Sequence, residues 1–190
     1  MSMEPMTEHD AELMTLDEPV SETIKRDLKM IGAKLKYVFM PTSKAEETIA
    51  ELRKWDLWGP LLFCLILSVV LSLSASEDQG STVFACVFVV VWCGAFVVTL
   101  NVQLLGGKVP NFQSVCVLGY CICPLVLAAC LGMAWSNIFY RIALVIAGYA
   151  WAMRAPVVFM MQLVSDEKRA LAIFPVGLFY LIIAWMILII

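Results

Sequence analysis

Past Leu57 this sequence is nearly without charge. Of 13 Lys and Arg and 16 Asp and Glu, eight and twelve fall in residues 1–57, leaving nine charged residues for the remaining 133. Nine charges cannot solvate a globular surface of that size, which excludes an ordinary water-soluble catalytic domain. Histidine is almost missing: His9 stands alone in the polar N-terminal stretch. No long apolar run contains an Asp or Glu, so no Ser/His/Asp set or metal-ligand set can be assembled, and neither an enzyme nor a cofactor is expected. A basic excess is also absent; a net charge of −3 offers polyanions no attractive field, so nucleic acid is excluded as a partner. The seven cysteines (Cys64, Cys86, Cys93, Cys116, Cys121, Cys123, Cys130) all lie in apolar runs. That odd number, with none in a polar loop, argues against a disulfide framework. Residues 1–20 have no basic n-region and no apolar h-region. The first span is therefore expected to insert late and to leave the N-terminal segment in the cytosol.

What the sequence has in abundance is apolar length. A membrane-crossing helix needs about 20 apolar residues to span roughly 30 Å of hydrocarbon. Five segments qualify, at about 58–76, 82–104, 112–135, 138–164 and 170–190. The breaks between them are an acidic turn at 76–81, a Gly/Pro stretch at 106–111, a polar corner at 135–137 and the charged run 165–169. The expected fold is an all-α membrane protein of five transmembrane helices with a cytosolic N-terminal tail holding one or two amphipathic helices. Its parts are a disordered acidic tail at 1–19, an amphipathic helical segment at 20–57 and the five-span domain at 58–190. Orientation follows from Lys/Arg asymmetry. The eight basic residues of the tail, with Lys108, Lys168 and Arg169, fall on the cytosolic side. Only Arg141 falls opposite, near a helix end from which it can snorkel. Five spans put Ile190 on the lumenal side.

Polar and helix-breaking residues inside the spans are candidate functional positions. Arg154 is the one charge well within a span. It reads either as part of a solute or anion pathway or, the favoured reading, as a side chain that meets carbonyls freed by Pro156 or snorkels. Asn101 and Gln103 read as interhelical glue. Pro124 interrupts the third span and releases the carbonyl of Tyr120 four residues earlier. The break is either a binding site or a kink that neighbouring helices absorb; Pro175 carries the same pair of readings. Cys116, Cys123 and Cys130, seven residues apart, are read as a small-residue face for helix contact rather than a metal or redox site.

In the tail, Val20, Ile24, Leu28, Ile31, Leu35, Val38 and Phe39 share an arc of about 100° at helical spacing. Lys25, Arg26, Lys29 and Lys36 lie opposite. A helix this short is unstable alone in water, so its stripe needs a cover: the membrane domain itself, an anionic lipid surface or a partner protein. Ile24, Lys25, Arg26, Leu28, Lys29, Ile31 and Leu35 are the candidate contact residues. Ser43-Lys44-Ala45-Glu46 signals a second helix at about 44–55.

Where tail meets membrane domain stands Asp56-Leu57-Trp58-Gly59-Pro60. It resembles the Asp-Leu-aromatic-Gly-Pro signature of the YIPF family, the Ypt/Rab-interacting Yip proteins. Further matches follow in order: Asn101, Leu104-Leu105-Gly106-Gly107, Gly119-Tyr120-Cys121, Pro124, and Arg169 through Pro175. Val20 to Pro41 is similar to the tail of the branch called YIPF member six. The resemblance covers about residues 20–190 and departs from the family at Arg154 and at Phe174, where Tyr is frequent. It implies structural or contact roles for the motif residues and no catalytic ones. It further implies a non-enzymatic Golgi and ER–Golgi membrane protein that supports vesicle-mediated transport and Golgi organisation. The partners it implies are membrane lipids, a Rab-type small GTPase and other YIPF or Yif membrane proteins, in homo- or hetero-oligomers. The alternative is a small-solute or lipid transporter using Arg154 and helix breaks at Pro124 and Pro156.

Overall fold

The apolar runs become helices within a residue or two of where composition places them. A computed structural model describes residues 20–39, 57–107, 111–134, 137–164 and 166–190. The elements are α1 (Val20–Phe39), α2 (Trp58–Ser74), α3 (Gly80–Leu104), α4 (Asn111–Tyr120), α5 (Cys123–Ala134) and α6 (Ile138–Leu163). A 3-10 turn (Asp166–Lys168) then leads into α7 (Arg169–Ile189). No strand occurs among the described residues. The chain forms two compact units, residues 1–33 and 34–190. The boundary falls within α1, so Lys34–Phe39 belongs to the same unit as α2–α7. The acidic segment 1–19, the helix expected at 44–55 and Asp56 lie outside the described residues.

Among the described residues, four segments are long and apolar enough to cross a membrane: Gly80–Leu104, Phe112–Ala134 taken across its break, Ile138–Phe159 and Arg169–Ile189. The chain is a multi-pass membrane protein. The fifth apolar helix, α2, has 17 residues, about 26 Å at 1.5 Å per residue.

Local chemistry fixes the ends. Pro60 sits in the first turn of α2, where its missing N–H has no helical partner to lose. The Ser72 hydroxyl donates to the Gly80 carbonyl at 2.8 Å, tying the end of α2 to the start of α3. Gly106, at φ 91°, ends α3 in the left-handed region. Its N–H bonds to Gln103 O at 2.9 Å, and the Gly107 N–H to Val102 O at 3.0 Å. These two bonds are the Schellman arrangement, which favours glycine at the left-handed position. Lys168 Nζ adds a contact to Leu105 O at 3.4 Å, a cation at a helix C-terminus. Asn137 caps α6, its Oδ1 accepting from the Phe139 N–H at 3.0 Å.

At the centre lies the α4–α5 span. Within its most apolar stretch 78% is buried, against 28% for α3, 33% for α6 and 39% for α7. α4 packs on α2 and α3, α5 packs on α2, α6 and α7, and α3 also lies along both α2 and α7.

The sequence gives 112–135 as one helix; the chain breaks it at Cys121-Ile122. Pro124, second in α5, has no N–H to continue the ladder. The Ile122 N–H turns to Gly119 O at 3.3 Å, in 3-10 fashion. The Leu118 carbonyl, which a continuous helix would pair with Ile122, accepts instead from the Tyr180 hydroxyl of α7 at 2.8 Å. Pro156 behaves differently from its expectation. α6 continues through it from Ile138 to Leu163, so no helix break stands there. Pro175 likewise lies inside an unbroken α7.

Candidate functional site

Three of the family-signature residues, Gly59, Pro60 and Gly119, meet around one side chain, Tyr120, at the end of α4. Two glycines bring the elements together. A Cβ on Gly59 would overlap the Tyr120 ring, and a Cβ on Gly119 would overlap Pro60. Each glycine therefore admits the residue that adjoins the other in sequence, and α2 starts in direct contact with the end of α4. Phe63, one turn into α2, meets the Tyr120 ring edge-on, with centroids 6.0 Å apart. Tyr120 is fully buried. Tyr180 lies one step away through its bond to Leu118, braced edge-on by Phe179 at 5.0 Å.

The remaining face of Tyr120 is taken by the tail. Lys34 Nζ stands 5.3 Å from the ring centroid, and Lys34 is only 5% exposed. A cation over an aromatic face is worth about 0.5–1 kcal/mol in water and about 2 kcal/mol when desolvated. One turn on, Phe39 meets Trp151 of α6, centroids 5.8 Å apart, and Val38 is fully buried. Lys34 lies just off the apolar arc of α1 and is not among the contact residues named from sequence. Tyr180 escaped as well, although a hydroxyl in the middle of an otherwise apolar helix needs a partner once buried, and that requirement was legible.

The other motif residues form separate groups. Leu57 and the exposed Trp58 flank the start of α2. Asn101, Gly106 and Gly107 lie at the end of α3; the buried Asn101 Oδ1 has no hydrogen-bond partner among the described residues. The Pro124 carbonyl lies against Gly148 of α6, and Pro175 lies in α7. Of the contact residues in α1, Lys25, Arg26, Leu28 and Lys29 are exposed. Leu35 is half-buried, Ile31 lies on the same helix, and the side chain of Ile24 lies outside the described ones. Cys116 and Cys123 are buried while Cys130 is exposed. The three do not line one packed face, because the break at 121–122 interrupts the helical period joining them.

Two further features bear on the transport alternative. Arg154 is exposed on α6. A cavity of about 10 Å³ lies between Pro60, Val91, Ala95 and Ile122; another of about 40 Å³ is bounded by Ser74, Gly132, Arg141 and Ile187. Neither is bounded by Arg154, Pro124 or Pro156, and the smaller has room for about one water. Arg141 is not merely snorkelling: its guanidinium donates to the Ile187 carbonyl at 2.5 Å, neutralising the C-terminal end of α7.

Similarity to known proteins covers the same ground. The Yip1 domain family matches residues 36–186. Protein YIPF6 homolog of Dictyostelium discoideum is 50% identical over 177 residues, 92% of this chain and 95% of that protein. Protein YIPF6 of Homo sapiens is 44% identical over 183 residues, 92% of this chain and 76% of its own length. Protein YIP4 of Schizosaccharomyces pombe is 38% identical over 173 residues, 91% and 75% of the two chains. No solved structure matches.

Proposed function

The chain belongs to the Yip1 domain family, and on that footing we propose that it is a non-enzymatic scaffold of Golgi and ER–Golgi membranes. In this reading it recruits a Rab-type small GTPase and other family members in support of vesicle-mediated transport. The observation that carries the reading is the joint at Tyr120. There Gly59, Pro60, Gly119 and Tyr120 are used to pack α2 against α4, a structural use of the signature that suits a scaffold. Contact surface remains available elsewhere: the exposed Lys25, Leu28 and Lys29 on α1 and the outward sides of α3, α6 and α7.

The same reading takes α2 as a fifth span, with the N-terminal segment cytosolic and Ile190 lumenal. Its support is the direction of α2, which runs parallel to α4–α5: Pro60 lies beside Gly119, and Val70 to Ser74 lie beside Ala129 to Met133. At about 26 Å it meets the lower end of spanning length, roughly 17 residues. A glycosylation-site scan tests this. Acceptor sites placed before Leu57 should stay unmodified and sites following Ile190 should be modified; the reverse pattern defeats the topology. Crosslinking in native membranes followed by affinity purification should recover a second family member or a small GTPase, and recovery of monomer alone defeats the scaffold.

A further inference from the structure

The shortness of α2 leaves room that something else fills. α2 begins level with Gly119 and Tyr120, but α4 begins at Asn111, about 13 Å earlier at 1.5 Å per residue. α3 passes Pro60 at Ala95 and runs on to Leu104, again about 13 Å beyond. α7 meets this level at Tyr180 and starts at Arg169, about 16 Å away. Three helices thus overreach α2 on the side that holds Lys168. Among the described residues, α6 packs along α5 and α7, with no comparable packing along α4. The result is a notch between α4 and α6, open where α2 is missing, with Tyr120 at its floor.

Lys34–Phe39 lies across that floor. Lys34 covers Tyr120 and Phe39 covers Trp151. Trp151 is one turn past Gly148, which abuts Pro124 and Ala128, so both contacts stand at the depth where α2 begins. We infer that the end of α1 is a strap that closes this notch, latched by Lys34 on Tyr120 and by Phe39 on Trp151. A lysine with 5% exposure is costly to bury without compensation, and the Tyr120 ring face supplies part of that compensation. Released from the notch, the ammonium regains water. The strap is therefore held by the burial of Val38 together with these two directed contacts, and the water that Lys34 regains on opening makes it releasable.

The test uses the full chain in microsomal membranes with the cytosolic face outward and a membrane-impermeant maleimide. Val38, fully buried, and Leu28, 53% exposed, are replaced one at a time by cysteine, and the parent chain with its seven native cysteines serves as the blank. With the strap closed, Val38→Cys should label at least tenfold more slowly than Leu28→Cys. Adding Lys34→Gln, or Phe39→Ala as an independent variant, should raise Val38→Cys labelling about tenfold, and Lys34→Arg should keep it low. Labelling of Val38→Cys as fast as Leu28→Cys in the otherwise native chain overturns the closed strap. Protection that neither Lys34→Gln nor Phe39→Ala relieves overturns the latch.

Discussion

The α3 helix and the α4–α5 span are nearly equal in hydropathy, yet 28% of the most apolar stretch of one and 78% of that of the other is buried. Lipid tails and protein interior are alike to a hydropathy scale, so apolarity alone says that a segment leaves water and not what surrounds it. The residues that mark the centre are those a lipid-facing helix has little use for. Gln113, Ser114, Gly119, Tyr120 and Pro124 fall on the enclosed span, and Gln113 and Ser114 are buried there. At Pro124 the break is met by a neighbouring helix, which supplies the Tyr180 hydroxyl to the released Leu118 carbonyl, whereas α6 runs unbroken through the equally buried Pro156.

Substitutions sharpen the contrast between centre and rim. The largest effect is expected at the glycine joint. Gly119→Leu forces a side chain into Pro60, and overpacking of this kind costs about 3 kcal/mol or more where nothing can move. Val97→Leu on the outward face of α3, 60% exposed, should change stability by less than about 0.5 kcal/mol. Thermal unfolding of the detergent-solubilised variants, followed by size exclusion, measures both; equal losses would erase the distinction. Next in size is Tyr180→Phe, which leaves the Leu118 carbonyl without its donor and should cost about 1–3 kcal/mol. The counterpart Phe174→Tyr, at 68% exposure, should leave the melting temperature unchanged.

Smaller still is Arg141→Met, which removes the cation from the end of α7 and should cost about 0.5–2 kcal/mol. Arg154→Ala on the same helix should be neutral in the same assay and should leave solute flux into reconstituted vesicles at background. An Arg154-dependent flux would reverse the reading of that residue. Smallest is Lys168→Met: an exposed contact at 3.4 Å should register within about 0.5 kcal/mol.

Most of the architecture was legible because it rests on length and breakers. Apolar runs of 17 to 26 residues interrupted by Gly, Pro and charge leave little choice of helix boundary. The break in the third span was announced by Pro124, but its repair was not. Sequence singles out the carbonyl of Tyr120, whereas the hydroxyl donor comes from a residue 62 positions away to Leu118. The joint was legible only as separate motifs. Gly59-Pro60 and Gly119-Tyr120 give no hint that each glycine receives the other's neighbour, since that depends on the depth at which α2 begins. Lys34 was hidden for the same reason: on a helical wheel it borders the apolar arc, and only the notch left by α2 gives a cation at that edge a place to go.

The brevity of α2 has a consequence for the membrane as well as for the fold. On the five-span topology proposed above, a rod about 26 Å long matches a bilayer with a hydrocarbon layer of about 27 Å better than one of about 32–33 Å. In the thicker sheet, headgroups would dip inward around Trp58 or the rod would leave one leaflet unfilled, each at a modest penalty per ångström of mismatch. On that topology the length of α2 favours thin membranes, a form of address written in length rather than in any binding motif.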